Sequence, residues 1–261
     1  LAEKGDMPSI TDRYNDAAAE IQRLLKSASD SQEGFRAYGS AWSLSHIAHQ
    51  KDNMHFNAAM NIKRSVATDE LDPNTSFLQE NLFLIQCGNI IKEVSNFLFD
   101  NGKSLKTTGA SNGQTIAGCI STGVHGSGLD VGAVQDYVVG INLIIGDNAD
   151  DIIYLEQHTK PALNDVFANR IKARVIRNDG LFNAALVSLG SFGFIHGVVI
   201  EAEDRFLLNR YVKKLSKDKA LQLAQTMDFE NSDFHVDGET DANGKPNRPF
   251  HYKVFINPYT N

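Results

Sequence analysis

Apolar residues recur at Ile10, Tyr14, Ala17, Ile21, Leu24, Leu25 and Ala28, three or four positions apart, the stripe of a helix that buries one face. Ser9 stands just before the stripe and Asp12 three residues later, so Ser9 is predicted as the N-cap. After Gly34, Phe35–Tyr38 reads as a short strand running into Gly39-Ser40-Ala41-Trp42-Ser43. Residues 46–57 are polar and irregular, and 57–69 has room for one strand. Leu82, Phe83, Leu84 and Ile85 are contiguous, which predicts a strand over Asn81–Gln86 of buried character. Helical spacing returns in Ile90, Ile91, Val94, Phe97 and Leu98, with Asn101-Gly102 as the stop.

Between Gly109 and Gly132 the glycines are too dense for one regular element, which predicts a series of turns where backbone approaches something closely. Two strands, Tyr137–Ile145 and Asp151–Glu156, then flank Gly146-Asp147-Asn148-Ala149 as a hairpin. A short helix is expected over Leu181–Leu189 with Gly190 after it, and a strand over Ile195–Glu203. Ser216 is the expected N-cap of a helix reaching Met227. A turn-rich stretch covers Asp237 to Pro249, and a last strand, Phe250–Ile256, reads as a core strand. A change of composition near Arg205–Lys214 marks a boundary. The order of elements is that of an α+β fold with a small parallel or mixed sheet and a separate antiparallel sheet.

Composition narrows the function classes. The chain has 261 residues, 42% hydrophobic and 22% charged, with a formal net charge of −7. That balance gives no electrostatic footprint for nucleic acid, and no apolar run reaches membrane-spanning length, so neither nucleic acid nor a transmembrane segment is expected. Cys87 and Cys119 lie in apolar stretches and read as buried thiols. His46, His49 and His55 match no common metal-ligand spacing, so no metal is expected. The first residue is Leu, which points to residues removed upstream.

Several nucleotide and hydrolase signatures are absent. There is no phosphate-binding loop ending in Gly-Lys-Ser/Thr and no Gly-x-Ser-x-Gly elbow. Gly126-Ser127-Gly128 begins like a dinucleotide fingerprint, but residue 131 is Val and no good helix follows. The two loops Gly39–Ser43 and Ser121–Gly128 are instead rich in glycine and small hydroxyl residues. Consecutive main-chain N–H groups in such turns can cradle a diphosphate without lysine, because no side chain keeps the ligand away. Taken alone, both loops read equally well as ordinary turns, and a different nucleotide in the same loops is a third reading.

The arrangement resembles the vanillyl-alcohol-oxidase family with its PCMH-type FAD domain. Arg36-Ala37-Tyr38-Gly39-Ser40-Ala41-Trp42-Ser43 occupies the place of the family's strand and pyrophosphate loop, and Thr108–Gly128, containing Gln114-Thr115-Ile116-Ala117-Gly118, looks very like its second glycine motif. Ser188–Ile195 is similar to a third segment whose backbone meets the adenine end of FAD. The resemblance spans residues 10 to 205 and implies FAD held by Tyr38, Gly39, Ser40, Ala41, Trp42, Ser43, Ser111, Thr115, Gly118, Ser121, Thr122, Gly123, His125, Gly126, Ser127, Gly193 and Ile195. His125 reads as a structural turn histidine or as a group near the flavin. Many relatives bond the flavin covalently to a His at the position of Trp42; an indole cannot form that bond, so dissociable FAD is expected.

The resemblance implies a PCMH-type FAD-binding domain of two subdomains over residues 1–205, with 206–261 only the beginning of a substrate domain. The implied reaction is oxidation of an alcohol-type small-molecule substrate such as a sugar, lactone, alditol or sterol, with the catalytic base outside this sequence. A flavin-binding module without turnover of its own is the alternative.

Overall fold

In the computed structural model, which describes residues 8–128, 130–232, 240, 242–245, 248–257 and 259, the first helix begins as the sequence predicts. Ser9 Oγ accepts from the Asp12 amide at 3.0 Å and Asp12 Oδ2 accepts from the Ser9 amide at 3.2 Å, closing a reciprocal cap on α1 (Ile10–Asp30). Tyr14, Ala18, Ile21 and Ala28 are its buried apolar positions; a fully buried isoleucine contributes about 1.5–3 kcal/mol.

The described residues divide between two compact units, one within Leu1–Gly126 and Gly132–Arg205, the other within Ser127–Val131 and Phe206–Asn261. In the first, β1 (Phe35–Tyr38) pairs in parallel with β2 (Asn53–Phe56) as a two-stranded sheet. The larger sheet has six strands: β3 (Lys63–Ser65), β4 (Leu82–Gln86), β6 (Val138–Ile144), β7 (Ile152–Glu156), β8 (Arg174–Arg177) and β9 (Phe194–Glu201), in the order β3-β4-β9-β6-β7-β8. All its neighbours are antiparallel except β7 and β8. A two-residue pair, β5 (Lys103–Ser104) with β10 (Glu203–Asp204), lies outside it.

Both faces of the sheet are covered, which is why its strands read as apolar runs rather than alternations. Phe83, Ile85, Ile141, Leu143 and Val198 pack with α2 (Ile91–Asp100), α3 (Ile116–Ser121) and α5 (Asp179–Leu186). Leu82, Leu84, Tyr154 and Val199 pack in a second cluster with Phe167 of α4 (Asp165–Arg170). Tyr14 fastens α1 to this sheet: its hydroxyl donates to Asn142 Oδ1 at 2.9 Å, and His196 Nε2 lies 3.0 Å from its carbonyl. The His196 ring is fully buried and its Nδ1 has no partner among the described residues; burial lowers its pKa to about 4.

A buried charge network closes the β7 end. Arg177 Nε donates to Glu156 Oε1 at 2.7 Å, while Glu156 Oε2 accepts from the amides of Ala162 and Leu163. Burial raises the Glu156 carboxyl above its ordinary value in spite of these bonds. Cys87 and Cys119 are buried free thiols, as the apolar flanks imply.

Several expectations are corrected. The glycine-dense stretch is not turns throughout: Ile116, Ala117, Cys119 and Ile120 form the buried stripe of α3. Residues 46–57 hold β2, whose sequence Asn-Met-His-Phe carries little strand signal and which forms by pairing with β1. α4 and β8 went unrecognised. The helix expected over Leu181–Leu189 is α5, which starts at Asp179 and ends at Leu186, because Val187 leaves the helical region at φ −108° and ψ 57°.

In the second unit, α6 (Lys217–Thr226) starts at the predicted cap, with Ser216 Oγ accepting from the Lys219 amide. The tail expected as a core strand, Phe250–Ile256, forms no strand; Phe250 and Phe255 are 44% and 84% exposed, and no β ladder satisfies the backbone there. The turn-rich stretch 237–249 lies partly outside the described residues. Among the described residues no helix is long and apolar enough to cross a membrane.

Candidate functional site

The glycine loops, remote in sequence, meet in space. A Cβ on Gly39 would lie 2.2 Å from Thr115 Oγ1, and one on Gly113 would lie 2.4 Å from the Trp42 ring. At Gly39 the obstacle is the buried Thr115, which only a residue without a side chain clears, and at Gly113 it is the edge of the half-exposed Trp42 ring. Thr115 is buried and caps α3, accepting from the Gly118 amide at 3.3 Å. At the other end Gly123 (φ 67°) lets the Val124 amide return to Cys119 O at 2.9 Å, a left-handed helix stop. The third motif joins through Arg36, which donates to Leu189 O at 2.7 Å, and through the Leu189 amide, which donates to Ser121 O at 3.1 Å.

These segments enclose a cavity of about 630 Å³, within the range of sites that take a cofactor or drug-sized ligand. Of the residues singled out in the sequence, Tyr38, Gly39, Ser40, Ala41, Trp42, Ser43, Thr115, Gly118, Ser121, Thr122, Gly193 and Ile195 line it. Ser111, Gly123, His125, Gly126 and Ser127 do not. Gly126 instead packs on Thr107, its amide donating to the Thr107 hydroxyl at 3.2 Å. His125 is exposed and its Nδ1 lies 2.8 Å from Gly126 O, a turn-stabilising contact. Ser127 belongs to the second unit, where its hydroxyl pairs with His251.

The cavity also takes walls the loops did not announce. Leu25 and Ser29 come from α1, Ile47 and Ala48 from the segment after the first loop, and Ile144–Asp147 from the β6–β7 turn. Leu189, Gly190 and Ser191 belong to a motif already recognised, so their glycine and serine content was a usable signal. The α1 wall had none beyond its helical stripe.

The lining is charge-poor: Arg36 and Asp147 are its charged side chains. What it offers an anion is backbone. Among the described residues, the amides of Ser40, Ala41, Trp42 and Ser43 donate to no acceptor within the protein. Ala41 takes φ 53°, unusual for a residue with a side chain and suited to turning successive N–H groups to one side. Gln114 adds a buried acceptor, Oε1, with no partner among the described residues. Gly193 (φ 134°) crosses so close to β6 that a Cβ would lie 2.9 Å from Ile144 O. Free amides, an orphaned buried acceptor and glycine-only approaches fit a long ligand with a diphosphate centre.

His46, His49 and His55 do not converge on a metal centre. The His55 Nδ1 lies 2.9 Å from Asn57 Oδ1, and among the described residues no three His, Cys, Asp or Glu groups could hold an ion together.

Comparison with known proteins bears on the same region. The sequence model described as FAD binding domain matches residues 15–148. L-gulonolactone oxidase 3 of Arabidopsis thaliana is 33% identical over 121 residues, covering 46% of this chain and 18% of that protein. A D-arabinono-1,4-lactone oxidase of Yarrowia lipolytica is 26% identical over 176 residues, covering 67% of this chain and 28% of that protein. The chain thus spans between 18% and 28% of the length of these curated relatives. Among solved structures, a VAO-type flavoprotein from Myceliophthora thermophila C1 superposes with a TM-score of 0.56 at 12% identity, covering 72% of this chain and 30% of that one. Cholesterol oxidase from B. sterolicum does so at 0.51 and 15%, covering 71% and 32%. The chain belongs to the FAD binding domain family and has its PCMH-type α+β fold, related to that of the vanillyl-alcohol-oxidase, cholesterol-oxidase and sugar-lactone-oxidase flavoproteins.

Proposed function

We propose that this chain is the flavin-binding part of an oxidoreductase that acts on the CH–OH group of a small molecule such as a sugar, lactone, alditol or sterol. FAD, when bound, supplies the hydride acceptor for such an oxidation. The observation that carries the reading is the row of free amides over Ser40–Ser43, set against Thr115, Gly118, Ser121 and Thr122 across one cavity. These groups suit a diphosphate, and Gly39 and Gly193 keep backbone close enough to reach it. Ser111, Gly123, His125, Gly126 and Ser127 hold loop shape or lie away from the lining, so the binding set is narrower than the family motif implies.

Trp42, at the cavity wall and 54% exposed, has no nucleophilic nitrogen of the imidazole kind, and the cofactor is held without a covalent bond. Residues 206–261 are the start of a substrate domain. Acid precipitation of flavin-loaded protein tests this reading: FAD, identified by mass, is expected in the supernatant. Colour that stays in the pellet, or a protein that takes up no FAD, would overturn it.

A second reading is a flavin module with no turnover of its own. Anaerobic addition of sugar lactones, alditols or sterols separates the two: bleaching of bound flavin indicates turnover, and a stable yellow spectrum indicates the module.

A further inference from the structure

The cavity's two charges have different employment. Arg36 donates one of its guanidinium N–H groups to Leu189 O and keeps its positive charge on the wall. Asp147, at the tip of the β6–β7 turn, accepts no hydrogen bond among the described residues; its nearest cation, Lys26 Nζ, stands 4.0 Å away and lies closer, at 3.1 Å, to Asp30. The turn does not depend on it. Asp151 holds the turn by accepting from the Asn148 amide and side chain at 3.0 Å each, and Gln22 Nε2 donates to Asn148 O at 2.6 Å. Asp147 is thus a carboxylate on a cavity wall without a structural task.

A carboxylate there repels a diphosphate, so the diphosphate belongs at the Ser40–Ser43 amides and an uncharged, donor-bearing part of the ligand belongs beside Asp147. Leu25, Phe35, Ile145 and Phe194 line the same cavity and offer apolar surface for a flat ring. We infer that Asp147 receives the vicinal ribose hydroxyls of the adenosine half of FAD and makes the site selective for FAD over FMN. Two carboxylate oxygens match two adjacent hydroxyl donors, the same chemistry by which acidic residues recognise ribose in unrelated folds. This inference rests on the FAD reading above.

The test is titration of apo-protein with FAD and with FMN, followed by flavin and tryptophan fluorescence, for wild type, Asp147→Asn and Asp147→Ala. Wild type should prefer FAD. Asp147→Ala should lose about 10- to 100-fold in FAD affinity with FMN affinity unchanged, the loss expected for hydrogen bonds to a charged acceptor. Asp147→Asn should fall between. Both apo-variants should melt with wild type, because Asp151 and Gln22 carry the turn. Wild-type binding of FAD with undiminished binding by Asp147→Ala, or an equal loss for FMN, overturns the inference alone. Failure of the wild type to bind FAD overturns the cofactor reading and this inference with it.

Discussion

Gly39→Ala is the sharpest probe of how the two glycine loops meet. The new Cβ would stand 2.2 Å from Thr115 Oγ1 and 2.9 Å from Thr115 Cγ2, so roughly 1 Å or more of movement is needed to restore ordinary contact. Thr115 cannot supply it cheaply: it is 4% exposed and its hydroxyl caps α3. The first loop must therefore lift away, and it carries the free amides. Overpacking of this kind costs about 1–3 kcal/mol, which lowers the melting temperature of the apo-protein by about 2–12 °C. The same free energy, drawn from the binding geometry, weakens FAD by about 5- to 150-fold. Differential scanning fluorimetry and a flavin titration measure both. The decisive comparison is a double-mutant cycle with Thr115→Ala, which removes the obstructing side chain. The two changes should be non-additive by about 1 kcal/mol or more. Additive effects, or FAD affinity within twofold of wild type in Gly39→Ala, would refute the argument.

Other consequences are open to measurement. Trp42 is the chain's single tryptophan, so its emission should be quenched as FAD binds, and a titration with no quenching contradicts its place on the cavity wall. Gly113→Ala meets the edge of the half-exposed Trp42 ring rather than backbone; the ring swings aside, and the expected result is a shift in emission with a melting temperature within about 2 °C of wild type. Buried His196, its pKa lowered from 6.5 to about 4, imposes no protonation penalty above pH 6.5. Below that the unfolded chain takes up a proton the folded chain refuses, so stability falls with pH towards 4, by about 3 kcal/mol in all. His196→Phe should flatten that slope in urea titrations at pH 4 to 7. Arg177→Leu leaves Glu156 buried without its partner and should cost about 3–5 kcal/mol, read as a lowered urea midpoint. Burial pushes the Cys119 thiol up to about 12, so neither it nor buried Cys87 should react with a thiol reagent until the protein unfolds.

What the sequence disclosed followed the reach of its signals. Local chemistry was legible: Ser9 with Asp12 opens α1 and Ser216 opens α6. A contiguous apolar run located β4, β-rich composition after Gly193 located β9, and the Gly146–Ala149 interval located the β6–β7 hairpin. Elements specified by a partner were not. β2 has no strand-like composition and exists because β1 offers a ladder, whereas Phe250–Ile256 has strand-like composition and finds none. Within the site, glycine and hydroxyl residues betrayed the loops. Leu25, Ser29 and Asp147 carry no mark of a binding role, because they reach the cavity only through packing of α1 and the hairpin on the same sheet. Gly123 and Gly126 do not line this cavity; their glycines serve helix termination and packing on Thr107.

The parallel pairing of β1 with β2 has a thermodynamic corollary. Two strands of four residues each are marginal as a free-standing sheet, yet the loop proposed to seat the diphosphate, Ser40–Ser43, leaves directly from β1. Apparent affinity is scaled by the fraction of molecules in which the pair is zipped. A covalent staple between the strands would thus tighten binding by sparing the ligand the work of assembling its own seat.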